Sequence, residues 1–171
     1  MTYTSAQAAK LLRSLNERLA ALNSRESMSS TYIAAAGEDV SLVRPEYDYE
    51  AVKTEREALE ESIRKVKHAI SVFNTTHVVP GFDMTIDQML VYIPQLNENK
   101  QRLMLMTNRL PVQRMPGRSM SAIIEYTYAN YDVQRAAEDL RQVSARLAEA
   151  QTALDLVNST ETMELDISVE Q

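Results

Sequence analysis

The residues that could do chemistry are few. His68 and His77 are the chain's two imidazoles, and there is no cysteine. A structural or catalytic metal needs several such ligands at fixed spacing, often two one helical turn apart. His68 is flanked by Lys65 and Lys67, and neither histidine belongs to an HExxH or ExxH arrangement. Ordinary solvated histidines are expected. Nucleophilic catalysis needs a Ser, Thr or Cys activated by a neighbouring base, and no GxSxG turn occurs. Gly37, Gly81 and Gly117 stand alone, so no glycine loop can cradle a phosphate. The acidic run Glu55, Glu57, Glu60 and Glu61 fits a solvated helix face, with Glu60–Arg64 and Glu61–Lys65 as pairs one turn apart. No catalytic residue, metal site or cofactor is expected, and the chain is not expected to be an enzyme.

Two clusters stand out from this background. Five of the eight tyrosines, Tyr47, Tyr49, Tyr126, Tyr128 and Tyr131, lie where two long helices are expected to begin. Rim packing with wet or bonded hydroxyls is the simpler account. The alternative is a groove for a small molecule or metal at the helix entries. The second cluster is charge. From Asn99 to Ile124 there is no acid, but Lys100, Arg102, Arg109, Arg114 and Arg118 are present, in a chain of net charge −6. Docking on an acidic face of another copy, or of a protein partner, suits such polarity. The overall negative charge argues against nucleic acid.

The elements that must position these residues are helices, and they come in two similar units. Tyr47-Asp48 through Asn74-Thr75-Thr76 matches Tyr131-Asp132 through Asn158-Ser159-Thr160 at a constant offset of 84. Between the markers, Val133, Ala136, Leu140, Val143, Leu147, Ala150, Leu154 and Val157 follow steps of three and four. The first copy carries Tyr49, Val52, Arg56, Leu59, Ile63, Val66, Ile70 and Phe73, with Arg56 breaking the seam. Such spacing puts the apolar side chains on one stripe of a helix. Asp48 and Asp132 suit the N-cap, and Asn74 and Asn158 the far end. Long helices are thus expected at about 48–74 and 132–158.

A shorter helix precedes each long one. Thr4-Ser5-Ala6-Gln7 reads as a capping box, and Thr85-Ile86-Asp87-Gln88 repeats it 81 residues later. The stripe Ala8, Leu12, Leu15, Leu19, Leu22 matches Met89, Ile93, Leu96, Lys100, Leu103 position for position. The first helix is expected to end near Asn23, and Pro94 should kink the third. The expected fold is mainly all-α: a four-helix bundle of two tandem helix, linker, long helix units, 4–76 and 85–160, with short β segments in the linkers and tail. Residues 1–160 form the bundle domain and 161–171 a strand-like tail. In the linkers, Tyr32 to Val43 reads as a hairpin around Gly37, and Ile124, Tyr126 and Tyr128 as a strand after a Pro116-Gly117 turn. In the tail, Met163, Leu165, Ile167 and Val169 alternate with polar residues, the period of a strand with one buried face. A lone strand needs a sheet edge. Ile123–Tyr128 and Val40–Val43 are the candidate partners, but the long helix carries the tail away from Ile123–Tyr128, so the first-half linker is expected, within the chain or on a neighbouring copy. Arg109, Arg114, Arg118 and the tail's apolar row are therefore the expected interface residues of a homo-oligomer.

Several of these stretches, the helix Ala8–Leu22, the Tyr47-Asp48 entry, the Ile63-Arg64…Ile70…Asn74-Thr75-Thr76 exit, Thr85-Ile86…Met89-Leu90 and Ile123–Tyr128 followed by Asp132-Val133, together resemble the septicolysin-like family of small bacterial helical proteins. The resemblance covers about residues 4–162 and implies an all-helical, oligomeric protein with no established activity. It carries no site residues. The opening Met1-Thr2-Tyr3-Thr4-Ser5 lacks a basic and then apolar leader, and no apolar run approaches the ~20 residues of a membrane span. A cytoplasmic location is expected.

Overall fold

The computed structural model describes residues 1–115 and 124–167. It is 67% helical, which places the chain in the mainly helical class. A short strand β1 (Thr2–Thr4) enters helix α1 (Ser5–Ser29). A single helical turn, α2 (Val40–Val43), lies in the first linker, and α3 (Tyr49–Thr76) follows. Strands β2 (Val78–Val79) and β3 (Met84–Thr85) lead into α4 (Ile86–Thr107). Strands β4 (Val112–Arg114) and β5 (Tyr126–Tyr128) precede α5 (Val133–Thr160), and β6 (Thr162–Glu164) closes the order.

Helix starts follow from the side chains named above. Gln7 N–H donates to Thr4 Oγ1 at 3.2 Å while Thr4 N–H donates to Gln7 Oε1 at 2.9 Å. Gln88 and Thr85 repeat the exchange at 3.3 and 2.9 Å. Two otherwise orphaned donors are satisfied at each start. Asp48 accepts from Ala51 N–H at 3.1 Å, and Asp132 from Gln134 and Arg135 N–H at 2.8 and 3.2 Å. The two long helices have 28 residues each, about 42 Å at 1.5 Å per residue. Both run two residues past Asn74 and Asn158, so the asparagines lie inside the last turn rather than beyond it.

The chain divides into two compact units, Met1–Asn74 with Asn158–Gln171, and Thr75–Val157. The boundary falls in the last turn of each long helix, so the tail is not a separate piece but part of the first unit. The buried sets match. In the first unit Ala8, Leu15 and Leu22 on α1 correspond to Met89, Leu96 and Leu103 on α4 in the second. Ile63, Val66 and Phe73 on α3 correspond to Leu147, Ala150 and Val157 on α5, and all are buried. Within the first unit α1 and α3 are antiparallel neighbours, because Arg25 and Glu26 near the end of α1 pair with Glu55 and Arg56 near the start of α3.

Three expectations are corrected. α1 does not end near Asn23 but continues to Ser29. The added turn, Ser24 to Ser29, is polar but not mobile loop: Arg, Glu and Met are good helix formers, and Arg25 and Glu26 are held by α3. The hairpin around Gly37 is absent. Ala35 N–H instead donates to Glu38 Oε2 at 2.8 Å, Gly37 turns at φ +87°, and Asp39 caps α2 through Ser41 N–H at 2.9 Å. Asp39 and Ser41 favour such local side-chain bonds over a ladder. Third, the tail pairs with neither Ile123–Tyr128 nor Val40–Val43. Its partner is β1, antiparallel, with Thr2 opposite Glu164, Tyr3 opposite Met163 and Thr4 opposite Thr162. Met163, Leu165 and Ile167 are buried in the first unit. Val169 and the Pro116-Gly117 turn lie outside the described residues.

The β1–β6 ladder has a counterpart. β2 pairs with β3 with Val78 opposite Thr85 and Val79 opposite Met84. Adding 84 to the first strand and subtracting 81 from the second turns these pairs into Thr162–Thr4 and Met163–Tyr3, the register observed. In both units the chain leaving a long helix pairs with the chain entering a short one. In the second unit a tight turn connects them, with Gly81 at φ +81° and Asp83 at φ +50°. In the first unit the same two strands are connected by the whole chain.

Leu147 is buried on α5, so Leu147→Ala is expected to lower unfolding free energy by ~2–5 kcal/mol, read by urea unfolding. A circular permutant opened between Pro80 and Gly81, with the old ends joined by a short Gly-Ser link, is expected to keep the parent helical circular dichroism. A permutant that fails to fold would show that the two ladders are not equivalent.

Candidate interaction site

Each unit carries its linker where the short helix ends and the long one begins. In the first unit this region is organised on Glu26. Its carboxylate accepts from Tyr47 Oη at 3.0 Å and from the Arg56 guanidinium. Arg56 is the seam position that breaks the apolar pattern, and the pair with Glu26 is how the chain accommodates it, with both side chains still partly wet. The Tyr47 phenol is pushed above its ordinary pKa, first by partial burial and then by the Glu26 carboxylate it donates to. In the second unit Tyr131, the equivalent residue, donates to the Met106 carbonyl at 2.8 Å. Both tyrosines thus tie the entry of a long helix to the end of the preceding short one.

The remaining tyrosines behave differently. Tyr49 is exposed beside Tyr47 in the first unit, whereas Tyr126 and Tyr128 are exposed on β5 in the second. The five are therefore shared between two units rather than gathered on one. A cleft of about 170 Å³ lies against Tyr47, Glu26 and Val52, and one of about 130 Å³ against Arg109, Leu110 and Tyr128. Ligand pockets run from about 300 to 1,000 Å³, so neither cleft has the volume for a drug-sized molecule. Among the described residues no three His, Asp or Glu side chains converge as a metal site would need.

Strands β4 and β5 form an antiparallel ribbon in which Val112 faces Tyr128 and Arg114 faces Tyr126. Directly opposed residues share a face, so Val112, Arg114, Tyr126 and Tyr128 lie together, with Gln113 and Thr127 on the other side. The tyrosine rings sit 6.4 Å apart and tilted. Every described residue of both strands is exposed. Arg109 and Arg114 make no ion pair among the described residues, and Arg118 lies outside them. Of the expected interface residues, the structure places Arg114 on this ribbon and Arg109 just before it, in the cleft beside Tyr128. It takes Met163, Leu165 and Ile167 into the first unit's core.

One cluster escaped the sequence. The Arg146 guanidinium lies 3.9 Å from the centroid of the Phe82 ring, and Tyr92 meets Phe82 edge-on at 6.4 Å. The Tyr92 hydroxyl, first, and the Glu149 carboxylate hold Arg146 above its ordinary pKa. Such cation–π contacts stabilise packing, and here they tie the β2–β3 turn to α4 and α5. The first unit has Met1, Leu11 and Ser62 at the corresponding positions, so the repeat could not have pointed to it.

Comparison with known proteins adds fold and no activity. No family model matches the chain, and no curated protein does. A functionally unknown conserved protein from Corynebacterium diphtheriae has a similar crystal structure, with a TM-score of 0.58 at 14% identity, covering 96% of this chain and 100% of that one. At that identity the likeness is one of fold alone. Among the described residues no helix is long and apolar enough to cross a membrane.

Arg56 stands where the second unit has Leu140, and its pair with Glu26 is half wet, where such pairs contribute about 0–1 kcal/mol. Arg56→Leu is therefore expected to shift unfolding free energy by less than about 1 kcal/mol; a larger loss would mean that the pair, not the stripe, holds this end. For Tyr47 the sign follows from a raised folded-state pKa. Its stabilisation is fully present below about pH 10 and is lost as the pH rises through the folded value. The stability difference between the parent and Tyr47→Phe is expected to stay constant from about pH 7 to 9 and to shrink above about pH 10, read by chemical unfolding at each pH.

Proposed function

We propose that the protein is a non-enzymatic interaction protein that assembles with copies of itself through its linkers. The observation that carries this is apolar surface left bare on the linkers, where Ile33 is 95% and Leu42 83% exposed, with Leu110 and Tyr128 also bare. Exposed apolar surface rimmed by charge is how association sites are marked.

The tail enters this scheme differently from the linkers. Met163, Leu165 and Ile167 are consumed within the first unit, so the tail secures the subunit while the linkers carry assembly. The same proposal takes up the septicolysin-like resemblance, with its implied oligomeric helical protein, and a cytoplasmic location.

Light scattering coupled to size-exclusion chromatography, over a wide concentration range at low salt, is expected to give a mass that is a multiple of 19.4 kDa. A single-copy mass at every concentration would remove self-assembly.

A further inference from the structure

The two linkers occupy equivalent places in the repeat and carry opposite charge. Residues 31–50 hold five acids, Glu38, Asp39, Glu46, Asp48 and Glu50, against Arg44 alone, a net −4. The second unit's linker, residues 109–134, holds Arg109, Arg114 and Arg118 against Glu125 and Asp132, a net +1, with no acid before Glu125. Both are also apolar at the surface. Ile33, Val40 and Leu42 are exposed on the acidic linker, and Leu110, Val112 and Tyr128 on the basic one.

The charges are differently committed. Asp39 is occupied with Ser41, which holds its carboxyl below the ordinary value through the Ser41 hydroxyl and then its amide, and Glu38 with Ala35. Glu46 and Glu50 are exposed and form no ion pair among the described residues, and the same holds for Arg109 and Arg114. Like would repel like if two ribbons met face to face, or two acidic linkers. Unlike surfaces attract, and their charges would steer encounter and fix orientation while the apolar residues supply area.

We propose that the acidic linker of one copy, centred on Leu42, Glu46 and Glu50, docks on the face of the β4–β5 ribbon of a second copy that presents Val112, Arg114, Tyr126 and Tyr128. The occupant of the ribbon is thus this chain itself. A contact between two different patches is heterologous, and an open assembly keeps one unfilled patch of each kind at its two ends unless a ring closes. The ribbon gains what a two-stranded sheet lacks alone, cover for its aromatic face. This docking rests on the self-assembly proposed above and specifies which surfaces meet.

The test uses two charge reversals of the full chain, Arg109→Glu with Arg114→Glu, and Glu46→Lys with Glu50→Lys. All four positions are exposed, so each variant is expected to keep the parent's helical circular dichroism. If either does not, glutamine replaces the charges at the same positions, and a reduced assembly mass is expected instead of its loss. Each reversal alone is expected to run at the one-copy mass of 19.4 kDa. Mixed in equal amounts, they are expected to return a two-copy species, because one variant retains an intact acidic linker and the other an intact ribbon. High salt should weaken that species. A reversal that keeps the parent's oligomeric mass, or a mixture that stays at one copy, would overturn this docking and leave self-assembly standing. A parent chain that is itself monomeric would remove both.

Discussion

The N-cap threonines of the short helices carry two duties at once, and much of the structure depends on their compatibility. A helix N-cap must have extended backbone angles while its side chain reaches forward to the first turn. Thr4 and Thr85 have φ −72°, ψ 161° and φ −69°, ψ 162°. Those angles also lie in the broad β region open to strand residues. The same residue therefore ends a ladder, opposite Thr162 in one unit and Val78 in the other, and begins a helix. No loop intervenes between sheet and helix. The chain leaving a long helix is thereby fixed against the chain entering a short one, and the buried Met163 and Val79, equivalent residues, plug the junction.

Much of this was legible in the sequence, and the parts that were not share a cause. Three-four periodicity located the long helices because about eight positions each had to agree. The capping boxes located the short ones because the chemistry is local. α1 outran its expected end because the deciding contacts, from Arg25 and Glu26 to α3, lie about 30 residues away in sequence. β1 was missed because Thr2–Thr4 is too short to show a period. Its pairing with β6 joins opposite ends of the chain, so no local pattern could announce it. The information was nevertheless present. Applying the two repeat offsets to the β2–β3 turn would have paired residues 162 and 163 with Thr4 and Tyr3. The Phe82, Tyr92 and Arg146 cluster had no such signal, since three unrelated segments meet there.

What the two units keep and what they change are separated in space. Kept are the heptad-spaced residues of the short helices, the seam of the long ones apart from Arg56, the ladder register and the tyrosine hydroxyl that ties each linker end, Tyr47 or Tyr131. These are positions where a changed side chain would open a cavity or orphan a donor. Changed are the linkers. One turns through Gly37 into a capped helical turn, the other forms a ribbon, and their charges have opposite sign. Packing constrains the first group tightly and the second hardly at all.

That freedom has a geometric consequence. Two identical units with identical linkers would offer an assembly only like surfaces, and charged like surfaces repel on contact. Once the linkers differ in sign, each chain carries a complementary pair on a repeated scaffold. The repeat then supplies two matched mounts, and the divergence supplies the polarity between them. Polarity of this kind comes at no cost to the core, because the residues that create it, Glu46, Glu50, Arg109 and Arg114, are exposed and belong to neither seam. A chain that needed direction in its contacts could acquire it at these linkers without disturbing a single buried residue.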